Sequence, residues 1–244
     1  MPDRPPETRT LSTGHEVTVP LETVAEATGV VLTADADRAA DWLPDPLAPL
    51  RVAPGRTTVT LLSVDYQRIG DDAMSPYEEF GVIVPATPAT ASHRPELTAL
   101  RSGVGGYVAA LPVTTEPACA LGREIWGYPK TVADIAITDR GDSRRTAVGD
   151  DRGHVLTLEV PSRPRFSWAV ETASYTDERG LRRQPLRLSG EFGGRPLGGS
   201  YSLGRHPLAE RLRGLGLGRP VGAFAFGGRF VIGDGAPFGC GMTG

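Results

Sequence analysis

Glycine and proline recur along the whole chain and restrict what it can fold into. The sequence has 31 glycines and 22 prolines among 244 residues, well above the roughly 12% that the two share in average proteins. They are spread throughout and do not form a repeat. This spacing favours many short strands joined by turns, because both residues are favoured in turns and disfavoured inside helices.

Seven segments between these turns have strand character, because they are rich in β-branched residues or alternate apolar with polar ones. They are Thr57–Tyr66, Phe80–Pro85, Gly105–Val113, Val132–Thr138, His154–Val160, Leu186–Phe192 and Val221–Ile232. Seven strands in one chain predict a mainly β fold with a mostly antiparallel sheet, either a sandwich or a barrel.

Helices are predicted to be few and short. The candidates are Ala36–Trp42, Thr115–Ile125 and Pro207–Leu215. The second must end before Pro129, because proline biases the preceding residue away from the helical region. No change in composition marks a domain boundary, so we expect a loose tail over residues 1–12 and a single domain over residues 13–244.

Charge and targeting signals exclude several kinds of partner. The formal net charge is −3 and the isoelectric point is near 5.9, so no basic surface for nucleic acid is expected. The first ten residues, MPDRPPETRT, lack the apolar core of a signal peptide, and no segment approaches a membrane span. Cys119 and Cys240 are too few for a disulfide framework, which fits a cytoplasmic protein.

No metal or other cofactor is expected. The four histidines show no paired spacing, and neither cysteine matches a zinc motif; the histidines are His15, His93, His154 and His206. The glycine-rich segments lack the residue order of a dinucleotide-binding loop.

The chain contains a single lysine, Lys130, beside 25 arginines. Arginine can replace lysine as a surface charge, but it cannot act as an amine nucleophile, because its guanidinium stays protonated and delocalised. Lys130 is therefore either a surface lysine that has not been replaced or an amine with a chemical role.

The residues around Lys130 form a recognisable pattern. Gly122–Glu124 reads Gly-Arg-Glu, and Tyr128–Lys130 reads Tyr-Pro-Lys a few residues later. Two further segments, Leu43–Leu47 and Tyr77–Gly81, precede it with matching order and approximate spacing. Together these segments resemble the acetoacetate decarboxylase superfamily, with the lysine motif as the most specific part.

The resemblance implies a fold and a chemistry. It implies an antiparallel β-barrel or conical sheet with a few flanking helices, and a Schiff-base role for Lys130, with Glu79 as a nearby acid or base. A free lysine with a pKa near 10.4 is only about 0.04% neutral at pH 7, so its pKa must fall by about three units before it attacks carbonyls efficiently.

The sequence also departs from the decarboxylase pattern. Thr131 follows Lys130 where decarboxylases of the family carry a second lysine, whose charge at ~6 Å and an effective dielectric of ~20 would contribute about two pKa units. No basic residue lies between Glu16 and Asp37, where those enzymes meet the substrate carboxylate with an arginine. We therefore expect desolvation to act on Lys130 instead, and a reaction other than β-keto acid decarboxylation.

Three more residues are candidates for substrate binding. Trp126 and Tyr128 are placed to exclude water from Lys130, although large apolar residues more often fill a core. Arg123 is a candidate for binding substrate; the alternative is a structural role together with Glu124, either as an ion pair or as a pair that anchors a strand. The alternative for Glu79 is a solvated carboxylate in a turn.

We therefore expect a cytoplasmic, homo-oligomeric lyase that forms an imine between Lys130 and a small-molecule ketone or 2-oxo acid. Aldol condensation with dehydration, or decarboxylation, would follow, in a biosynthetic role in specialised metabolism. The alternative is a barrel that binds or cyclises a small molecule without covalent attack, in which Lys130 only hydrogen-bonds a ligand oxygen.

Overall fold

The computed structural model of the chain describes residues 5–89, 105–161 and 166–238. Seventeen strands lie in these ranges: β1 (Glu7–Thr10), β2 (Glu16–Val19), β3 (Leu21–Asp35), β4 (Leu47–Pro49), β5 (Arg51–Ala53), β6 (Arg56–Ile69), β7 (Tyr77–Pro88), β8 (Gly105–Val113), β9 (Lys130–Val132), β10 (Asp134–Arg140), β11 (Ser143–Asp150), β12 (Gly153–Pro161), β13 (Phe166–Thr176), β14 (Arg182–Pro196), β15 (Ser200–Leu203), β16 (Pro220–Ile232) and β17 (Ala236–Pro237). The helical elements of the same ranges are α1 (Ala36–Ala40), α2 (Glu116–Leu121), a π-helical turn (Gly122–Trp126) and α3 (Pro207–Gly214). None of these helices has the length and apolar character to cross a membrane.

Seven of the strands close into a barrel, which confirms the predicted mainly β architecture. Their order is β7, β6, β3, β16, β14, β13 and β8, and pairing of β8 with β7 completes the ring. Neighbouring strands are antiparallel except β13 and β8, which are parallel. A closed barrel leaves no free sheet edge and encloses an interior that side chains fill.

A second sheet covers part of the barrel from outside. It consists of β10, β11, β12 and β15. The long strand β3 contributes to two cores: Leu21 and Ala25 belong to the barrel interior, and Val30 and Leu32 pack with the residues of the covering sheet. The barrel interior and the layer between barrel and sheet are therefore separate apolar clusters.

Two sequence expectations need correction. The predicted strand Val132–Thr138 is interrupted at Ala133, because the chain leaves the barrel at the end of β9 and enters the covering sheet as β10. The predicted loose tail over residues 1–12 is partly ordered, since β1 pairs with β2 in a hairpin.

The other six predicted strands each lie within or on an observed strand, with ends that differ by up to four residues. The three helices are also present, although Thr115–Ile125 divides into α2 and the π-helical turn. His93 and Cys240, which were considered as metal ligands, lie outside the described residues.

Candidate active site

Lys130 is the first residue of β9 and follows a helix end with a defined geometry. The Thr115 hydroxyl caps α2 by accepting a hydrogen bond from the amide of Ala118. After the π-helical turn, Gly127 ends the helix in a left-handed conformation with a φ of 69°. Pro129 cannot continue a helix, so the chain enters β9 in extended form and pairs with β8.

The ammonium group of Lys130 pairs with the carboxylate of Glu79 inside the barrel. Nζ lies 2.8 Å from Glu79 Oε2, and the two residues are only 4% and 6% exposed. Lys130 is therefore not a surface lysine, and Glu79 is not a solvated turn carboxylate. The structure brings together the two residues that the sequence nominated as catalytic.

Two tyrosines complete the polar cluster around this ion pair. Nζ of Lys130 donates a hydrogen bond to the Tyr77 hydroxyl at 3.3 Å, and the Tyr66 hydroxyl donates to Glu79 Oε1 at 3.4 Å. The two tyrosine rings pack with centroids 4.7 Å apart. Sequence reasoning missed both tyrosines, although Tyr77 and Glu79 are two residues apart on one strand and therefore share a face.

The cluster holds Lys130 as an ammonium ion in the absence of substrate. Burial alone lowers the pKa of Lys130, but the charge of Glu79 and the contacts with Tyr77 outweigh it and raise the pKa above its usual value. Burial also raises the pKa of Tyr77 to about 12, although the charge of Lys130 partly opposes this. Both tyrosine hydroxyls are therefore protonated at neutral pH and can donate hydrogen bonds.

Tyr128 and Trp126 are both buried, and hydrogen bonds fix each of them. The Tyr128 hydroxyl is hydrogen-bonded to the Ser174 hydroxyl, and burial raises the pKa of Tyr128 to about 12. The Trp126 indole donates to the carbonyl of Gly233 at 2.9 Å, and its own carbonyl accepts a hydrogen bond from Thr176 at 2.8 Å. Their proposed role in excluding water from Lys130 remains a prediction.

Arg123 lies on the backbone side of Lys130, away from Nζ. Its guanidinium donates to the Lys130 carbonyl at 3.5 Å and pairs with Glu178 at 3.4 Å. Glu124 instead accepts hydrogen bonds from Ser12, so the expected pairing of Arg123 with Glu124 is replaced by two separate contacts. Substrate binding by Arg123 stays a prediction.

Arg123 also faces a surface groove of about 500 Å³. The groove is lined by Arg9, Thr10, Leu11, Arg123, Glu124, Ile125, Glu178 and Arg179. A ligand of Arg123 would therefore lie in this groove, outside the cluster of Lys130 and Glu79.

Thr131 points to the opposite face of β9 from Lys130. Successive side chains of a strand alternate in direction, and Thr131 is exposed where Lys130 is buried. A lysine at position 131 would therefore extend into solvent, where water screens its charge. The exposed position of Thr131 favours screening over a direct effect on Lys130, and the effect of a second lysine there remains a prediction.

Within residues 5–89, 105–161 and 166–238, no three His, Cys, Asp or Glu side chains lie close enough together to hold a metal ion.

The sequence matches the family described as Acetoacetate decarboxylase (ADC) over residues 4–177. No curated protein sequence matches it significantly.

The solved structures that are similar to this one include the following three. The acetoacetate decarboxylase (ADC) of Legionella pneumophila has a TM-score of 0.65 and 17% identity, covering 96% of this chain and 91% of that chain. MppR, an enduracididine biosynthesis enzyme complexed with the condensation product of pyruvate and imidazole 4-carboxaldehyde, has a TM-score of 0.62 and 13% identity, covering 97% and 98%. An acetoacetate decarboxylase-like enzyme from Sphingomonas wittichii RW1 has a TM-score of 0.60 and 14% identity, covering 88% and 91%. At these identities the likeness is one of fold.

Proposed function

The chain belongs to the acetoacetate decarboxylase family, and from this premise we propose that it is a lyase in which Lys130 forms an imine with a ketone or a 2-oxo acid. The observation that carries the proposal is the buried contact between Lys130 Nζ and Glu79 Oε2. The sole amine side chain of the protein is thereby placed against a carboxylate that can accept its proton.

Imine formation requires that the Lys130 ammonium first lose a proton, and Glu79 is the base in contact with it. The neutral amine attacks the carbonyl carbon, a C–N bond forms, and the carbonyl oxygen leaves as water. Overall, an ammonium ion and a ketone give a protonated imine and water. The proton that Glu79 removes from Nζ is thus returned to the departing oxygen, and no net proton is exchanged with solvent.

The protonated imine then withdraws the electron pair of an adjacent bond and becomes an enamine. Loss of a proton from the neighbouring carbon gives the enamine, which attacks an aldehyde and forms a C–C bond. Loss of water from this adduct, followed by hydrolysis of the imine with a second water, releases the condensation product and restores the Lys130 ammonium. Loss of carbon dioxide from the same position is the decarboxylase alternative. The Tyr77 and Tyr66 hydroxyls lie at the two ends of the Lys130 and Glu79 pair and would orient it for these proton transfers.

The side chains of β3 favour condensation over β-keto acid decarboxylation. Leu21, Thr23, Ala25 and Ala27 are buried on alternate positions of this strand, and none carries a charge. The arginine that decarboxylases of the family use for the substrate carboxylate is therefore missing from this strand. MppR, which shares the fold, was solved with a condensation product of pyruvate, and a related reaction is proposed for this chain.

A non-covalent pocket is the second candidate function. The observation that favours it is the raised pKa of Lys130, which burial alone would lower but Glu79 and Tyr77 raise. A permanently charged Lys130 would bind a ligand oxygen without attacking the carbonyl. A binding protein or a cyclase would fit that behaviour.

Borohydride trapping with pyruvate separates the two candidates. Because Lys130 is the single lysine, a reduced adduct can form only there or on the N-terminal amine, and peptide mapping tells the two apart. We expect the adduct on the peptide that contains Lys130. An adduct confined to the N-terminus, both at saturating pyruvate and at a saturating concentration of an uncharged methyl ketone, would exclude the imine and favour the non-covalent pocket.

A further inference from the structure

Aromatic residues are concentrated on one side of the barrel. Five of the seven phenylalanines lie on β14, β16 and the start of β13, and Trp168 lies with them. We call Trp168, Phe192, Phe226 and Phe230 the aromatic wall. Ring centroids are 4.9 Å apart for Trp168 and Phe192, 6.5 Å for Trp168 and Phe226, and 4.9 Å for Phe226 and Phe230.

The aromatic wall is in contact with the polar cluster through Tyr66. The Phe230 ring packs edge-on against Tyr66 at 6.4 Å, and Tyr66 donates its hydrogen bond to Glu79. Tyr66 in turn packs on Tyr77, which accepts from Lys130. A molecule bound against the wall would therefore present its end to the Lys130 amine.

The strand register places Trp168 of the wall and the two tyrosines in one layer of the barrel interior. Cross-strand partners point to the same side of a sheet. Starting from Trp168, the partners around the barrel are Gly190, Gly228, Ala25, Tyr66 and Tyr77. The layer thus begins and ends with large rings and has only two glycines and an alanine between them.

The two glycines cannot be replaced by residues with side chains. A Cβ at Gly190 would lie 2.2 Å from the Gly227 carbonyl oxygen, and one at Gly228 would lie 2.4 Å from the Ser189 carbonyl oxygen. The layer therefore has no side chain of its own at these two positions.

The rings of Phe226 and Phe230 lean toward each other on either side of Gly228. They flank Gly228 on one strand, and four residues of extended chain span about 13 Å. Their ring centroids are nevertheless only 4.9 Å apart.

Three residues of the wall are partly exposed. Lys130 and Glu79 are buried, whereas Trp168, Phe192 and Phe230 are partly exposed members of the same apolar cluster. A substrate approaching from this side would meet the wall before the amine.

Beside the wall, the charged residues of these strands lie on the outer face. Glu171 pairs with Arg187 at 3.1 Å, and Arg229 pairs with Glu22; Glu22 is partly exposed and the other three are exposed. The inner face of each strand consists of every second residue. These alternate residues carry no charge from Trp168 to Thr172 on β13, from Leu186 to Phe192 on β14 and from Phe224 to Ile232 on β16. The wall therefore offers flat apolar surface and no partner for an ionic group.

We propose that the aromatic wall binds a flat, uncharged aromatic group of the substrate, joined by a short linker to the carbonyl carbon that Lys130 attacks. This assignment rests on the proposed function of Lys130. Aromatic rings bind such groups by offset and edge-to-face packing, which saturated chains satisfy less well. The wall thus selects the substrate by its aryl group, and the polar cluster supplies the chemistry.

The test compares three methyl ketones that differ only in the distal group. Calorimetric binding constants are measured for butan-2-one, 4-phenylbutan-2-one and 4-cyclohexylbutan-2-one on the full chain. We expect the phenyl ketone to bind at least tenfold more tightly than butan-2-one and at least threefold more tightly than the cyclohexyl ketone. Equal affinities for the three ketones would overturn the proposal.

Two variants locate the preference. Phe230→Leu keeps apolar volume but removes the ring beside Tyr66, and it should reduce the phenyl preference to less than threefold. Phe238→Leu is the matched control, because Phe238 packs on Tyr175 in a different cluster. A preference that survives in Phe230→Leu, or that falls equally in both variants, would contradict the assignment.

Borohydride trapping of the same ketones distinguishes this proposal from the proposed function. Tighter binding of the phenyl ketone without an adduct on Lys130 would support the wall and exclude the imine. Adducts of all three ketones with the same half-saturating concentration would support the imine and overturn the wall assignment.

Discussion

The side chain of Lys130 lies directly across the Cα of Gly122. A Cβ at residue 122 would be 2.4 Å from Lys130 Cδ and 2.5 Å from Cε, distances that no pair of non-bonded carbons tolerates. The π-helical turn that begins with Gly122 therefore fixes the path along which Lys130 reaches Glu79. The lysine motif thus contains a glycine, Gly122, whose missing side chain leaves room for the Lys130 side chain.

Gly122→Ala should impair chemistry more than folding. Gly122 has a helical φ of −71°, which alanine adopts readily, so the backbone should tolerate the change. The Lys130 stem must move by about an ångström, which should slow borohydride trapping of pyruvate by about 10²-fold. Gly214→Ala is the control, since a Cβ there meets no atom within 4 Å. Trapping at the wild-type rate in Gly122→Ala would show that the stem has another path.

Lys130→Arg should abolish trapping and reduce turnover by at least about 10³-fold. Arginine keeps the positive charge beside Glu79 but has no nucleophilic amine. Circular dichroism and the melting temperature should show a folded protein. Turnover within tenfold of the wild type would rule out the imine.

Glu79→Gln should lower the pKa of Lys130 below its ordinary value. Burial lowers that pKa and the Glu79 charge opposes it, so removal of the charge leaves burial dominant. Because the chain has one lysine, the titration can be followed as a single resonance of ¹³Cε-labelled lysine. Trapping at Lys130 should be retained while turnover slows by roughly 10² to 10⁴. An unchanged lysine pKa would show that the ion pair does not form in solution.

The pH dependence of trapping should differ between the wild type and Glu79→Gln. In the wild type the proton passes from Nζ to Glu79 and back, so the rate should vary less than about threefold between pH 6.5 and 8.5. In the variant the proton must go to solvent, so the rate should rise about tenfold per pH unit below the lysine pKa. A tenfold rise per unit in the wild type would remove Glu79 as the proton acceptor.

Thr131→Lys should leave the pKa of Lys130 within about 0.3 units of the wild-type value. The new side chain would extend from the exposed face of β9, where water and salt screen its charge. Thr131→Lys introduces a second lysine, so its ¹³Cε resonance must be assigned separately from that of Lys130. Thr131→Arg adds the same charge without a second lysine resonance. A fall of about two units in either variant would place the two cations on the same side of the strand.

The sequence predicted strands well where β-branched residues alternate and less well elsewhere. β8 was predicted with both of its ends, since Gly105–Val113 is bounded by clear turn residues. The longest strand of the first half, β3, was missed, because its alternate positions carry alanine and glutamate, which have low strand propensity. Barrel pairing with β6 and β16 over nearly its whole length overrides that propensity.

The candidate site was predicted only in part. Lys130 and Glu79 follow from local motifs, and both lie in the cluster. Tyr66 lies 13 residues before Glu79 and reaches it only through the register between β6 and β7, which no local pattern reveals. The outward position of Thr131 needed only the alternation of a strand, but β9 was not predicted to start at Lys130.

The barrel has an odd number of strands, which affects how Lys130 is attached to it. A ring in which every neighbouring pair is antiparallel needs an even number of strands, so a ring of seven must contain a parallel seam. Here the parallel seam joins β13 to the first three residues of β8. The last three residues of β8 pair with β9. Both pairings use the same edge of β8, because β7 pairs with its other edge. Lys130 therefore belongs to a short strand that completes the seam without belonging to the ring. The backbone of Lys130 is therefore held at the β8 edge, and none of the seven ring pairings includes it.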